Sequence, residues 1–335
     1  MSLSTLGDAA RYALFRRDSG QLKTDLARLT SELSTGQRSD LGRATGGDFS
    51  ALSDITRRLR LSDSFATGLA QAALTAEARQ SALGRVAAEI EGLGPSLLAV
   101  SSSGADGELQ LRLADAPDRF AAAISSLNTR VAGQGLFSGD RPDQPALRSA
   151  EDILDALRPI AAAAPDSASL IADLDAWFHD AGAGYDGFAV TAGAGPTPKV
   201  LVDEGQAIDI GVDVRDTAIR TALAGLALAA LTAEGAGPAE PAARRALTEA
   251  AADRLQSGEA GLIALRAGLG TAEGQLEAAR VQNEAMRSAM QIEQGRITSA
   301  DPYTTATELE ELSQRLESLY VVTARLSRLS LSEYL

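Results

Sequence analysis

The chain has no cysteine and a single histidine, His179, which together remove most of the site chemistry open to 335 residues. Without thiols there is no disulfide, no thiolate zinc site and no cysteine nucleophile. One imidazole makes no histidine cluster for a metal. A nucleophilic triad would have to use His179, which no Gly-x-Ser-x-Gly elbow accompanies. Beside Trp177 and Phe178, His179 reads as a packed or surface residue. Lysine occurs only at Lys23 and Lys199, and no Gly-x-x-x-x-Gly-Lys stretch exists, which excludes a P-loop. Gly193-Ala194-Gly195 runs into Pro196 and Pro198, so it reads as a turn and not as the opening of a dinucleotide-binding helix.

Aromatic residues make up 4% of the chain and methionine occurs three times, so any core must be built from Leu, Ala, Val and Ile. The longest apolar run, Ala222 to Leu231, is too short to span a bilayer. Residues 1–20 lack an apolar stretch flanked by basic residues, so export, if it occurs, is expected without a cleaved signal. Positive charge is scarce: 31 Lys and Arg against 45 Asp and Glu give −14 and a pI near 4.6. That balance argues against nucleic acid and anionic membranes as partners. Carboxylate clusters such as Glu308, Glu310 and Glu311 lie beside a helical seam and read as a solvated face. The expectation is a protein that is not an enzyme and holds no cofactor and no metal.

What the chain does have is helical periodicity. Leu309, Leu312, Leu316, Leu319, Val322, Leu326 and Leu329 recur at steps of three or four near the end, and Phe15, Leu22, Leu26, Leu29 and Leu33 do so near the start. Two narrow apolar seams at opposite ends are expected to pair as a coiled coil. The first helix should run from Ser4 or Thr5 to a stop at Gly36, with a loop over 40–48. Helix is expected over 49–100, with Leu69, Ala73, Ala76, Leu83, Val86 and Ile90 on its seam, and again over 108–132 with a kink near Pro117. Residues 133–145 read as a turn-rich tongue and an extended segment. Helices follow over 149–163 and 167–180, then a glycine-dense stretch of hairpin loops and short strands over 182–195. The convincing β signal is a hairpin of Lys199–Asp203 with 207–213. Helix resumes over 216–233 and, as one long element, over 241–297. Its seam runs from Leu255 through Leu262, Leu265, Leu269, Ala272, Leu276 and Ala279 to Asn283, Met286 and Met290. Asn283 either sets register there or sits at a solvated edge.

The fold class is therefore mainly α: a long coiled-coil-like bundle formed by the N- and C-terminal segments, with a small inserted α+β outer domain. The divisions expected are 1–40 with 298–335 as a terminal assembly domain, 41–135 with 236–297 as a helical rod, and 136–235 as the insert. Leu3, Leu6 and Leu14 in front, and Tyr320, Val321, Leu331, Tyr334 and Leu335 behind, fall off the seams. They would leave an apolar patch on an isolated chain. Either other copies cover that patch or the middle of the chain does.

Both ends also carry a resemblance. Glu32-Leu33-Ser34-Thr35-Gly36-Gln37-Arg38 resembles the N-terminal Leu-Ser-Thr-Gly element of the flagellin family. Ile297-Thr298-Ser299-Ala300-Asp301, Thr305 to Leu319 and the closing 329–335 resemble that family's C-terminal helix. Leu127-Asn128 running on to Gly133-Gln134-Gly135-Leu136-Phe137-Ser138-Gly139 and Pro145 is similar to the family's hook–filament junction members. Leu41 to Gly47 stand where the family commonly has an acidic stretch, and Gly135 stands where an aromatic residue is usual.

The resemblance implies a structural subunit of the bacterial flagellum. Such a subunit is exported through the flagellar type III apparatus, assisted by an export chaperone, to an extracellular place at the hook tip. It would self-associate in a ring, contact a neighbouring junction protein and flagellin, and transmit torque while adapting hook to filament. The assembly interface would be Leu22, Leu26, Leu29, Leu33, Leu309, Leu312, Leu316, Leu319, Leu326, Leu329 and Leu335. The terminal helices would line an inner tube and the insert would project outward. The alternatives are filament flagellin and a cytoplasmic coiled-coil adaptor.

Overall fold

The computed structural model describes residues 3–103, 106–182, 184–195, 199–203 and 205–332, and divides the chain into two compact units. Residues 1–63 with 285–335 form one unit, and residues 64–284 form the other.

The larger unit is organised around α9 (Thr217–Ala233). Ala222 to Thr232 are buried without interruption, as expected of a helix that is apolar on every face. The apolar run noted in the sequence is thus the centre of a core, and no described helix is long and apolar enough to cross a membrane. Asp216 caps α9 by accepting from Ala218 N at 2.8 Å. Around it pack α5 (Asp106–Leu113), α6 (Ala116–Leu127), α7 (Ala150–Ala163) and α8 (Ser167–His179). Glycine lets α10 (Pro241–Thr298) come close: a Cβ on Gly258 would lie 2.7 Å from the Ala222 Cα, and one on Gly225 3.0 Å from Leu255. Leu255, Leu262, Leu269, Ala272 and Leu276 of α10 are buried as the seam predicts. Leu265 and Ala279 pack half-buried against the same core. Beyond them Asn283 is half-buried and Met286 exposed.

The long helix expected over 49–100 is two, α3 (Ser50–Ile90) and α4 (Leu93–Ser103). Gly92 sits at φ +67°, a left-handed conformation that ends a helix. On α3, Ala72 is buried where Ala73 was expected. Pro117 likewise begins α6 and does not kink a longer helix, because its missing N–H costs nothing in a first turn. That helix stops at Leu127, short of Ala132. The single-turn α2 (Leu41–Ala44), capped by Asp40, lies inside the expected 40–48 loop.

The tongue resolves into a two-residue hairpin, β1 (Arg130–Val131) and β2 (Gln134–Gly135), followed by buried Leu136 and Phe137. Asn128 clamps the next segment like a strand neighbour: its amide nitrogen donates to Leu147 O at 2.9 Å, and its oxygen accepts from Leu147 N at 2.8 Å. Arg79 of α3, 8% exposed, donates to Leu136 O at 2.9 Å and Ile210 O at 2.8 Å. The glycine-dense stretch holds a π-helical turn (Tyr185–Ala189) and one bridge, Leu147 to Val190, in place of hairpins. β3 (Lys199–Asp203) pairs antiparallel with β4 (Gln206–Asp209), a hairpin as expected but with a second strand that stops at Asp209 and not at Asp213. Residues 136–235, expected as an insert, include α9, which packs on α6 outside that range.

Candidate assembly interface

The smaller unit is built on α1 (Leu3–Thr35), within a residue of the sequence expectation, and α11 (Pro302–Ser332). Gly36 at φ +68° ends α1 in the position where that conformation is needed. Asp301 caps α11 by accepting from Tyr303 N at 2.9 Å and Thr304 N at 3.1 Å. Between those two stops the backbone is stitched: Arg38 N donates to Thr298 O at 2.7 Å, Ala300 N to Gly36 O at 3.0 Å, and Gln37 bridges Ser299. The Arg38 guanidinium adds a bond to Ser299 O at 3.0 Å.

From that stitch the helices run back antiparallel, since the next fixed level joins Lys23 to Tyr320, with the ammonium 5.7 Å from the ring centroid. A hydrogen bond with Lys23, reinforced by its positive charge, holds the Tyr320 phenol below its ordinary range. Near the stitch, buried Glu32 accepts from Arg28 at 3.1 Å and from Ser39 N at 3.0 Å, so its carboxylate is satisfied.

The expected seam residues are only partly covered. Leu29 is 1% exposed, whereas Leu22, Leu26, Leu309, Leu312, Leu316 and Leu319 are half-buried. Leu33 is 41% exposed on a single chain, three residues before the Gly36 stop that ends α1. Val322 is also exposed, at 46%. The seven-residue step from Leu309 to Leu316 continues to Thr323, which is half-buried, so the three-residue step to Val322 turns that side chain outward. Leu326 and Leu329 lie on the helix with side chains outside the described set, and Leu335 lies outside the described residues. Off the seam, Leu14, Tyr320 and Val321 are exposed as expected; the side chains of Leu3, Leu6 and Leu331, and Tyr334, are outside the described set.

Phe15, Leu319 and Val322, with Glu311, Gln314, Arg315 and Ser318, line an open groove of about 610 Å³.

The fold has a solved counterpart. A Vibrio parahaemolyticus structure assigned as a flagellar hook-associated protein matches with a TM-score of 0.54 at 14% identity, over 73% of this chain and 95% of that one. No protein-family model matches the sequence, and no curated protein does.

Leucine spacing could not reveal the stitch at 36–38 and 298–300 or buried Glu32 and Thr305, since these contacts are set by where two loops end. The available signals were Gly36 after Thr35 and Asp301 before Pro302, which mark both stops. His179 is an exposed residue at the end of α8, outside this unit.

Proposed function

We propose that this chain is a structural subunit of the bacterial flagellum, corresponding to hook-associated protein 3, which joins hook to filament. The observation that carries the reading is the terminal helix pair, whose leucine seam stays half-covered on a single chain while Leu14, Tyr320, Val321 and Val322 face outward. A seam of this kind gains by further burial, at about 25 cal/mol per Å² of apolar surface removed from water. The shared fold of a structure assigned as flagellar and hook-associated supports the same reading, as does the 127–145 motif. In this role the chain is exported without a cleaved signal, is held by a chaperone before assembly, and forms a ring between a neighbouring junction protein and flagellin. Its work is mechanical, not catalytic: packed seams carry torque between a bendable hook and a stiffer filament.

Antibody labelling of the untagged protein on intact flagella is expected to mark one narrow band between hook and filament. Labelling along the whole filament would make it a flagellin, and recovery only from cytoplasm would make it an adaptor. Removing residues 307–335 should leave 64–284 folded by circular dichroism and abolish incorporation.

A further inference from the structure

Glycine serves two different ends along α10. Gly258 and Gly261 are held there by close approach, since a Cβ on the first would lie 2.7 Å from the Ala222 Cα and one on the second 2.7 Å from the Ala218 Cβ. Gly268, Gly270 and Gly274 are different: a Cβ on any of them would meet nothing within 4 Å. Three glycines within seven residues of a helix interior weaken that helix, by about four- to fivefold in helix population each relative to alanine, or about a hundredfold together. No close approach among the described residues requires them.

The helix is firm on both sides of this stretch. Before it, Leu247, Ala251, Ala252, Leu255 and Leu262 are buried, and the glycine contacts hold α10 against α9. After it, Arg280 pairs with Glu277 at 2.7 Å and with Glu284 at 2.6 Å, which braces the next turns. An independent observation falls at the near end of the weak stretch. Gln80 of α3 donates from its amide nitrogen to Arg266 O at 3.3 Å. In an α-helix that carbonyl is the acceptor for the N–H of residue 270, here Gly270. A side chain bonded into this ladder is one of the few causes of helix bending, and it leaves the carbonyl a partner when the helical bond opens. Gln80 Oε1 and Arg266 Nε are buried with no hydrogen-bond partner among the described residues, so this crossing is held less tightly than one whose polar groups are all paired.

We infer that residues 266–274 are a built-in flexure of α10, at which the helix bends while residues 247–262 stay fixed on α9. The use of such a flexure rests on the reading of the chain as a torque-bearing subunit between hook and filament: it lets a rod helix yield and recover without unpacking the core.

The test is hydrogen exchange on the full-length protein and on a variant carrying Gly268→Ala, Gly270→Ala and Gly274→Ala, whose added methyl groups have room. In the wild type, amides of 266–276 should exchange at least about tenfold faster than those of 247–262, and faster than those of 277–284, a local maximum inside one continuous helix. In the variant that maximum should fall by at least about tenfold, while 247–262 changes only as global stability does. Exchange that climbs steadily toward residue 284 would mean a helix loosening toward its far end, and a maximum that the alanines leave unchanged would mean the glycines are not its cause. Either result overturns the inference. In cells, the variant should reach the same narrow band as the wild type yet lose filaments under shear at least about twofold more often, and equal retention would overturn the use assigned to the flexure. Exchange is read on purified protein, so a maximum at 266–276 with failed labelling at the junction would reject the flagellar reading and leave the flexure standing.

Discussion

Arg79 and Tyr185 show how single polar groups hold the larger unit. The Arg79 guanidinium joins the backbone at Leu136 and Ile210, and burial pushes its pKa down without removing its charge. Arg79→Met would leave both carbonyls without their donor. The expected cost is about 2–4 kcal/mol in urea unfolding. The Tyr185 hydroxyl donates to Val214 O at 2.8 Å, and full burial raises its pKa well above the ordinary phenol value. Tyr185→Phe should cost about 1–2 kcal/mol with helicity unchanged. His179 adds a pH dependence. Desolvation lowers its pKa below the ordinary 6.5, and the Asp175 carboxylate only partly opposes this. The folded state therefore binds its proton less readily than the unfolded chain, so stability is present above about pH 6.5 and declines as pH falls below it. His179→Gln should flatten that part of the thermal-stability profile.

At the scale of elements, what was legible followed from local chemistry. α1, α9, α10 and the start of α11 could be drawn to within a residue or two, because each couples apolar period to a cap or stop: Gly36, Asp216, Pro241 and Asp301. The seam between the two terminal helices was legible in its Leu22 to Leu29 and Leu309 to Leu319 stretches, which are buried or half-buried. What escaped was decided by tertiary fit. Gly92 reads as tolerable inside a helix until its φ is known. The π-turn at Tyr185 arises where Gly184 lies against the Trp177 indole, so closely that a Cβ would sit 1.7 Å from Nε1. Thr323 takes a seam position that a count of apolar residues gives to Val322. The α9–α10 crossing is equally invisible in a linear pattern, yet it governs the core. Gly258→Val should drive the two helices apart at a cost of about 3 kcal/mol, seen as a lower unfolding midpoint.

Across the whole molecule, acidity is unevenly held. Residues 64–284 contain 30 Asp and Glu against 16 Lys and Arg, which accounts for the full −14, while the remainder holds 15 of each sign. Solubility thus rests with the larger unit, and the smaller one is left without net repulsion between copies. Protection should be uneven too. In the isolated protein, amide hydrogens of α1 and α11 are expected to exchange faster than those of α6 and α9, because half-covered seams open at lower cost than a buried core. Equal protection throughout would mean the seams need no further partner.

The stitch at Gly36 to Arg38 has a consequence for the nascent chain. Arg38 bonds a residue 261 positions later. At roughly 5–20 residues per second, a ribosome needs about 13–50 s to deliver Ser299 after Arg38 has emerged. Throughout that interval the first helix has nothing to pair with, so its leucines are offered to any holdase in the cell before their own partner exists.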